Sequence, residues 1–314
     1  MGGDAAAGAG RLVPTFLVGL LATLLTLGCA SERVSSPNWT PPPAEVAGSP
    51  VVVAAGDIAH CRSEGDEATA GLLEGIDATI ITLGDNAYRN GSARDYQECY
   101  EPTWGRFKDR TRPAPGNHEY DTEGASAYFR YFGKAAGHPE EGYYSYDLGT
   151  WHLVALNSNC EEVAGGCDAS SPQVRWLRAE LANDGRSCTL AYLHHPLFTS
   201  GKYRPGIPEG KPLWEALYAA GADVVLSGHD HNYQRFAPQD PEGRADPRRG
   251  IRQFVVGTGG RNLYPISWFP LANIEAHDDE TYGVLKLTLS PKGYQWRFLA
   301  VGGGFTDSGG ARCH

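Results

Sequence analysis

Apolar residues along this chain gather in short continuous runs rather than in long helical stripes. Val51 to Ala55 and Thr79 to Leu83 are nearly unbroken apolar segments, the pattern of strands buried on both faces. Each ends at a Gly-Asp pair, Gly56-Asp57 and Gly84-Asp85. Glu67 to Leu73 between them has helix-forming composition, so the segment is predicted as strand, helix, strand, with both aspartates leaving the same end of a parallel pair. The pattern recurs where Thr189 to Leu193 leads into His194 and Asp223 to Leu226 leads into Ser227-Gly228-His229. A helix is predicted from Ser171 as cap and Pro172 as first helical residue through Trp176, Leu177 and Leu181, and another from Leu213 to Ala220. Four strands thus deliver polar side chains at their C-terminal ends, the edge at which α/β sheets bind ligands.

The last third changes character. Arg252 to Val256, Tyr282 to Leu289 and Tyr294 to Val301 read as strands, the last two joined through Ser290-Pro291-Lys292-Gly293 as a hairpin. They are expected to form a second sheet packed on the first. The opposite end is different again: Arg11 precedes an apolar run from Leu12 to Leu27 that stops at Gly28-Cys29. The run is shorter than the about 20 residues of a membrane span, and it resembles a bacterial lipoprotein signal, cleaved before a lipidated cysteine. Residues 1–29 are therefore expected to be a signal peptide ending at Cys29, with an ordinary signal peptide or a short anchor helix as alternatives. Residues 30–50, with Pro41-Pro42-Pro43 at their centre, are expected to form a Pro/Ser-rich linker, and residues 51–314 the folded domain that carries the chemistry described below. The expected location is outside the cytoplasm, on a membrane facing the periplasm or cell exterior and held there by an N-terminal lipid.

Composition adds two constraints. A net charge of -10 leaves no electrostatic footprint for nucleic acid, and a phosphate-bearing ligand would need local positive charge of the kind bound metals supply. Setting Cys29 aside leaves Cys61, Cys99, Cys160, Cys167, Cys188 and Cys313, an even set that in an exported chain points to disulfides. Cys160 and Cys167 flank a Gly-containing loop and are expected to close it. Cys61 and Cys99 each lie just beyond an acidic motif and are expected to tie those loops together, which leaves Cys188 for Cys313. No Cys-x-x-Cys spacing supports a thiolate metal site.

The chemistry is concentrated in five segments: Gly56-Asp57-Ile58-Ala59, Gly84-Asp85-Asn86-Ala87-Tyr88, Gly116-Asn117-His118-Glu119, His194-His195-Pro196 and Gly228-His229-Asp230-His231. Singly, an Asp after a strand is often a turn former. Together they supply the oxygen and imidazole ligands of a paired-metal hydrolytic site. Their order and spacing resemble the calcineurin-like metallophosphoesterases, most of all the purple acid phosphatases. The resemblance covers roughly residues 51–301 and implies an α/β (α+β) domain built as a four-layer α/β/β/α sandwich. It also implies that Asp57, Asp85, Tyr88 and His231 hold one ion and Asp85, Asn117, His194 and His229 the other.

Two ions about 3.5 to 4 Å apart need a shared carboxylate, and Asp85 is the natural bridge. His229 and His231 alternate on what reads as an extended loop, so that their side chains diverge toward the two ions. Many metallophosphoesterases carry a His two positions beyond the first Asp. Ala59 stands there, with His60 shifted by one, and Tyr88 offers a phenol in its stead. A phenolate suits Fe(III), with Zn(II), Mn(II) or Fe(II) as the second ion. His118 is cast as a transition-state stabiliser, oriented by Glu119, and Asn117, His118 and His195 as contacts to a small phosphoester substrate. Lys202, Tyr203 and Arg204 are placed at the pocket border, in a loop where purple acid phosphatases usually carry another histidine. The resemblance implies a phosphomonoesterase, with a phosphodiesterase or a non-catalytic surface binding lipoprotein as alternatives.

Overall fold

The computed structural model describes residues 48–314. The expected signal peptide, Cys29 and most of the linker lie outside the described residues. Two large sheets carry the domain. The first has six strands, β15 (Ser308–Arg312), β14 (Gly293–Ala300), β13 (Gly283–Ser290), β1 (Val51–Ala55), β3 (Thr79–Leu83) and β5 (Thr111–Ala114), in that spatial order. β1, β3 and β5 run parallel, with Val52 opposite Thr79, and β13 pairs antiparallel with the other side of β1. The second has seven, β12 (Ile274–Asp278), β10 (Tyr233–Phe236), β11 (Arg252–Val256), β9 (Val224–Ser227), β8 (Cys188–Tyr192), β7 (Trp151–Ala155) and β6 (Tyr144–Leu148). Its central four, β7, β8, β9 and β11, are mutually parallel. A two-stranded parallel ribbon, β2 (Ala59–His60) with β4 (Ala87–Tyr88), follows the first two aspartates.

The last third does not form the second sheet on its own. The predicted hairpin is β13 and β14, and it extends the first sheet, because the wholly apolar β1 is buried at both edges and needs a partner opposite β3. Only β11 of the three predicted C-terminal strands joins the second sheet. Apolar faces of both sheets, including Val52, Ile80 and Leu285 from one and Leu153, Leu190, Leu226 and Phe254 from the other, make one buried cluster. The helices Pro172–Asn183 and Lys211–Ala220 pack Leu177, Leu213 and Leu217 against Val154, Ala191 and Val225 of the second sheet. Helix Gly65–Leu73 and the turns Tyr96–Tyr100 and Trp104–Arg110 cover the first. The layers are helix, sheet, sheet, helix. Ser171 caps its helix by accepting from Val174 N, with Pro172 first.

All three expected disulfides are present: Cys61–Cys99, Cys160–Cys167 and Cys188–Cys313. The last ties the start of β8 to the residue after β15 and so fastens one sheet to the other; each is worth about 2–4 kcal/mol. Among the described residues, no helix is long and apolar enough to cross a membrane.

Asp66, in the first turn of helix Gly65–Leu73, is buried and accepts from Thr103 Oγ1 at 3.2 Å. Burial raises its carboxyl to about 6. A raised folded-state pKa contributes stability below the unfolded value, and that contribution is lost as pH rises through the folded one. Asp66→Asn is therefore expected to raise the melting temperature at pH near 7.5 and leave it unchanged near pH 4. Equal shifts at both pH values in scanning calorimetry would contradict this.

Candidate metal centre

The exits of β1 and β3 are sharply turned. Asp57 and Asp85 have φ of 60° and 50°, and His229 has 67°. Among the described residues only one other non-glycine residue, Ala125, shares this left-handed region, which costs about 1–3 kcal/mol per residue and persists where the surroundings overdetermine it. The glycines of the motifs serve close approach. A Cβ on Gly84 would meet the His194 ring at 2.5 Å, and one on Gly116 would meet Asp85 Oδ1 at 2.2 Å. Two sheets thus bring their loops to one point.

The seven expected ligands converge there in two groups. Tyr88 Oη lies 3.0 Å from Asp57 Oδ1, 2.8 Å from Asp85 Oδ2 and 3.2 Å from His231 Nε2, and His231 Nε2 lies 3.2 Å from Asp57 Oδ1. His194 Nε2 lies 3.1 Å from Asn117 Oδ1, 3.1 Å from His229 Nδ1 and 3.4 Å from Asp85 Oδ1. Asp85 thus gives one oxygen to each group. His229 and His231 do diverge, but through the left-handed turn at His229 rather than along an extended loop.

Protons decide whether this cluster fits cations. His194 Nδ1 donates to the Leu83 carbonyl at 2.7 Å and His231 Nδ1 to the Asn262 carbonyl at 2.7 Å, which turns both Nε2 atoms inward. They face carboxylate, amide and imidazole acceptors, an arrangement that calls for positive charge. The electrostatics agree. Burial pulls the His194 imidazole down, yet the Asp85 carboxylate raises it to about 9. Burial, and then His194, hold the His229 imidazole well below its usual value, so it stays neutral. Burial followed by Asp57 and Asp85 raises the Tyr88 phenol; its proton is shared toward both carboxylates. The residues fit two cations of hard character bridged by Asp85.

His118 stands at the rim, its Nε2 3.8 Å from Asp85 Oδ2 and its ring centroid 4.6 Å from that of Tyr88. Asp121 Oδ2, 3.1 Å from Nδ1, orients it; Glu119 does not. Glu119 is buried and accepts from the backbone N–H groups of Asp85, Asn86 and Gly116 and from Tyr96 Oη. It ties the Asp85 loop to the Asn117 loop, and burial, then the Asp85 charge, lifts its carboxyl to about 7. His195 lies against the second group, with a ring nitrogen within 4.8 Å of those of His194 and His229, its Nδ1 2.9 Å from Ser158 Oγ and its ring 4.4 Å from that of His229. Burial and then His194 lower it to about 3.

Tyr203 stacks on His229 at 4.0 Å and Tyr264 on His231 at 4.0 Å, with Lys202 Nζ 4.2 Å from the Tyr264 ring. The loop carrying Lys202 and Tyr203 is held by buried Asp230, which accepts from the N–H groups of both and from Thr199 Oγ1. Tyr264, Asp121, Asp230 and Ser158 escape a reading of the sequence, because each acts through a contact that only the fold makes: Tyr264 on His231, Asp121 on His118, Asp230 on the loop of Lys202 and Tyr203, and Ser158 on His195.

Two groups of metal-ligating side chains at the joined edges of two sheets, with one carboxylate common to both, are what a metallophosphoesterase would need. The family model for calcineurin-like phosphoesterases matches residues 50–233, and the chain belongs to that family. Purple acid phosphatase 15 of Arabidopsis thaliana is 29% identical over 225 residues, covering 60% of this chain and 41% of that protein. Acid phosphatase type 7 of Homo sapiens is 28% identical over 233 residues, covering 63% and 52%. The chain thus spans about half the length of these curated relatives. In fold it is similar to a purple acid phosphatase from yellow lupin (Lupinus luteus) seeds, with a TM-score of 0.70 at 18% identity over 85% of this chain and 54% of that one. It is also similar to a Plasmodium protein described as the anchor in the inner membrane complex, with a TM-score of 0.64 at 14% identity over 85% and 89%.

Proposed function

We propose that this protein is a dinuclear-metal phosphoester hydrolase, and within that class a phosphomonoesterase of the acid phosphatase type. The observation that carries the reading is the pair of ligand groups sharing Asp85, one oxygen to each. The similarity to purple acid phosphatases supports it. So does Tyr88, whose phenol is within reach of the first group and suits Fe(III), with Zn(II), Mn(II) or Fe(II) in the second.

Bound there, two ions would neutralise the phosphoryl oxygens and lower the pKa of water from 15.7 toward about 7. The protein supplies the rest. Asp57, Asp85, Tyr88 and His231 hold one position and Asp85, Asn117, His194 and His229 the other. Asn117 also faces the ester. His118, fixed by Asp121 through Nδ1, presents Nε2 to the phosphoryl oxygens as charge builds on them. His195, kept neutral by burial, borders the substrate with Tyr203.

The fold alone does not decide the matter, since the Plasmodium relative is described as an anchor. A full ligand set favours hydrolysis over binding. Metal analysis of the purified protein, with turnover of p-nitrophenyl phosphate against its bis ester, tests the proposal. Two ions per chain and preference for the monoester are expected; preference for the diester would make it a phosphodiesterase, and metal-replete protein without turnover would leave a binding role. His118→Ala is expected to keep both ions and lower turnover by about 10²- to 10³-fold, the worth of one oxyanion donor. Near-normal turnover in that variant would remove His118 from the reaction.

We also propose that Cys29 carries a lipid that holds the chain to a membrane. Cys29→Ser should then release it on detergent-free fractionation, whereas an unchanged membrane fraction would favour an uncleaved anchor helix.

A further inference from the structure

Beside the metal cluster lies a cavity of about 460 Å³ lined in part by Tyr88, the one residue that it shares with the two ligand groups. Arg62 and Arg89 line this cavity, and the Arg261 guanidinium lies 5.1 Å from the centre of the Tyr88 ring. The carboxylates on the same rim are engaged elsewhere. Glu98 pairs with Arg94 at 2.9 Å, and Asp95 accepts from Asn90 N, Ser92 N and Ser92 Oγ. Among the described residues, no carboxylate stands within ion-pair distance of Arg62, Arg89 or Arg261. On a chain with a net charge of -10, three cations without counter-charge have collected on one side of the metal cluster. The Cys61–Cys99 disulfide, which also lines the cavity, fastens the segment bearing Arg62 to the segment bearing Glu98.

Guanidinium groups are planar forks matched to phosphate and carboxylate, and they bind these most strongly when no other anion competes. We propose that the cavity is a subsite for a second anionic group, phosphate or carboxylate, on a ligand whose phosphoryl group lies at the metal cluster. The inference rests on the phosphoester reading above and names the class of substrate: small phosphoesters with a second negative charge on the leaving group. Such a group reaches past Tyr88 and exchanges water for Arg62 and Arg89, whereas an uncharged leaving group finds only solvated cations there.

Three unreactive phosphonates with a common three-carbon chain separate the possibilities: propylphosphonate, phosphonobutyrate and trimethylenediphosphonate. Calorimetric titration into metal-loaded protein is expected to give phosphonobutyrate, trimethylenediphosphonate or both an affinity at least about tenfold above propylphosphonate, a modest yield for two charge-assisted contacts. A gain for one alone identifies the second group as carboxylate or as phosphate. The double variant Arg62→Gln/Arg89→Gln should erase the gain. Equal affinity of the three phosphonates for the wild-type protein, or a gain that survives in the double variant, overturns the subsite. Because titration needs no turnover, failure to hydrolyse p-nitrophenyl phosphate would count against the hydrolase reading alone.

Discussion

Asp85→Ala is expected to release both metal ions and to drop phosphoester turnover to background. The loss should lie well beyond the about 10²- to 10³-fold of a single oxyanion donor, because Asp85 alone serves both ligand groups. Its Oδ2 receives Tyr88 Oη at 2.8 Å, and its Oδ1 lies 3.4 Å from His194 Nε2 and accepts from His118 N at 2.9 Å. Plasma emission spectroscopy reads the metal content, and circular dichroism reports whether the domain stays folded. Retention of one ion per chain would mean that the groups are independent and that Asp85 is not a bridge. Asp85→Asn keeps the shape and one carbonyl donor but loses the negative charge, and should lie between wild type and alanine in metal affinity.

Tyr88→Phe is expected to abolish the visible absorption of iron-loaded protein. A phenolate on Fe(III) transfers charge to the metal, which would colour the wild-type protein pink to purple. Burial and the two aspartates raise the Tyr88 phenol, so its proton is displaced only by a strongly acidic trivalent ion. A colourless iron-loaded wild type, or an unchanged band in Tyr88→Phe, would show that Tyr88 is no ligand to Fe(III) and would favour Mn or Zn in both positions.

The strand ends and their cargo were legible because a buried parallel strand is a continuous apolar run, and its exit is marked by Gly-Asp or Gly-His. Val51–Ala55 and Thr79–Leu83 match to the residue. Of the disulfides, Cys61–Cys99 followed from its place beside those exits, Cys160–Cys167 from the short Gly-containing loop between its cysteines, and Cys188–Cys313 as the pair left over. Sheet membership was not legible, since the Gly283–Ser290 strand looks the same whether it pairs with Val51–Ala55, as it does, or with a neighbour in the second sheet. Short strands such as Tyr144–Leu148 and Ser308–Arg312 carry too little apolar signal to stand out. Within the site, ligands were readable by residue type and order. Their supports were not: Glu119 sits next to His118 in the chain, yet its carboxylate serves three backbone N–H groups of the neighbouring loops.

The left-handed conformations of Asp57, Asp85 and His229 have a consequence for how metal-free protein behaves. Three such residues together hold several kcal/mol against a typical domain stability of about 5–15 kcal/mol. A cation that binds the folded chain at these turns offsets that cost and stabilises the protein. Its melting temperature becomes a gauge of metal occupancy. Hydrogen exchange at the loops around these three positions is expected to slow when metal is added, whereas exchange beside the Cys188–Cys313 disulfide is expected to stay as it was.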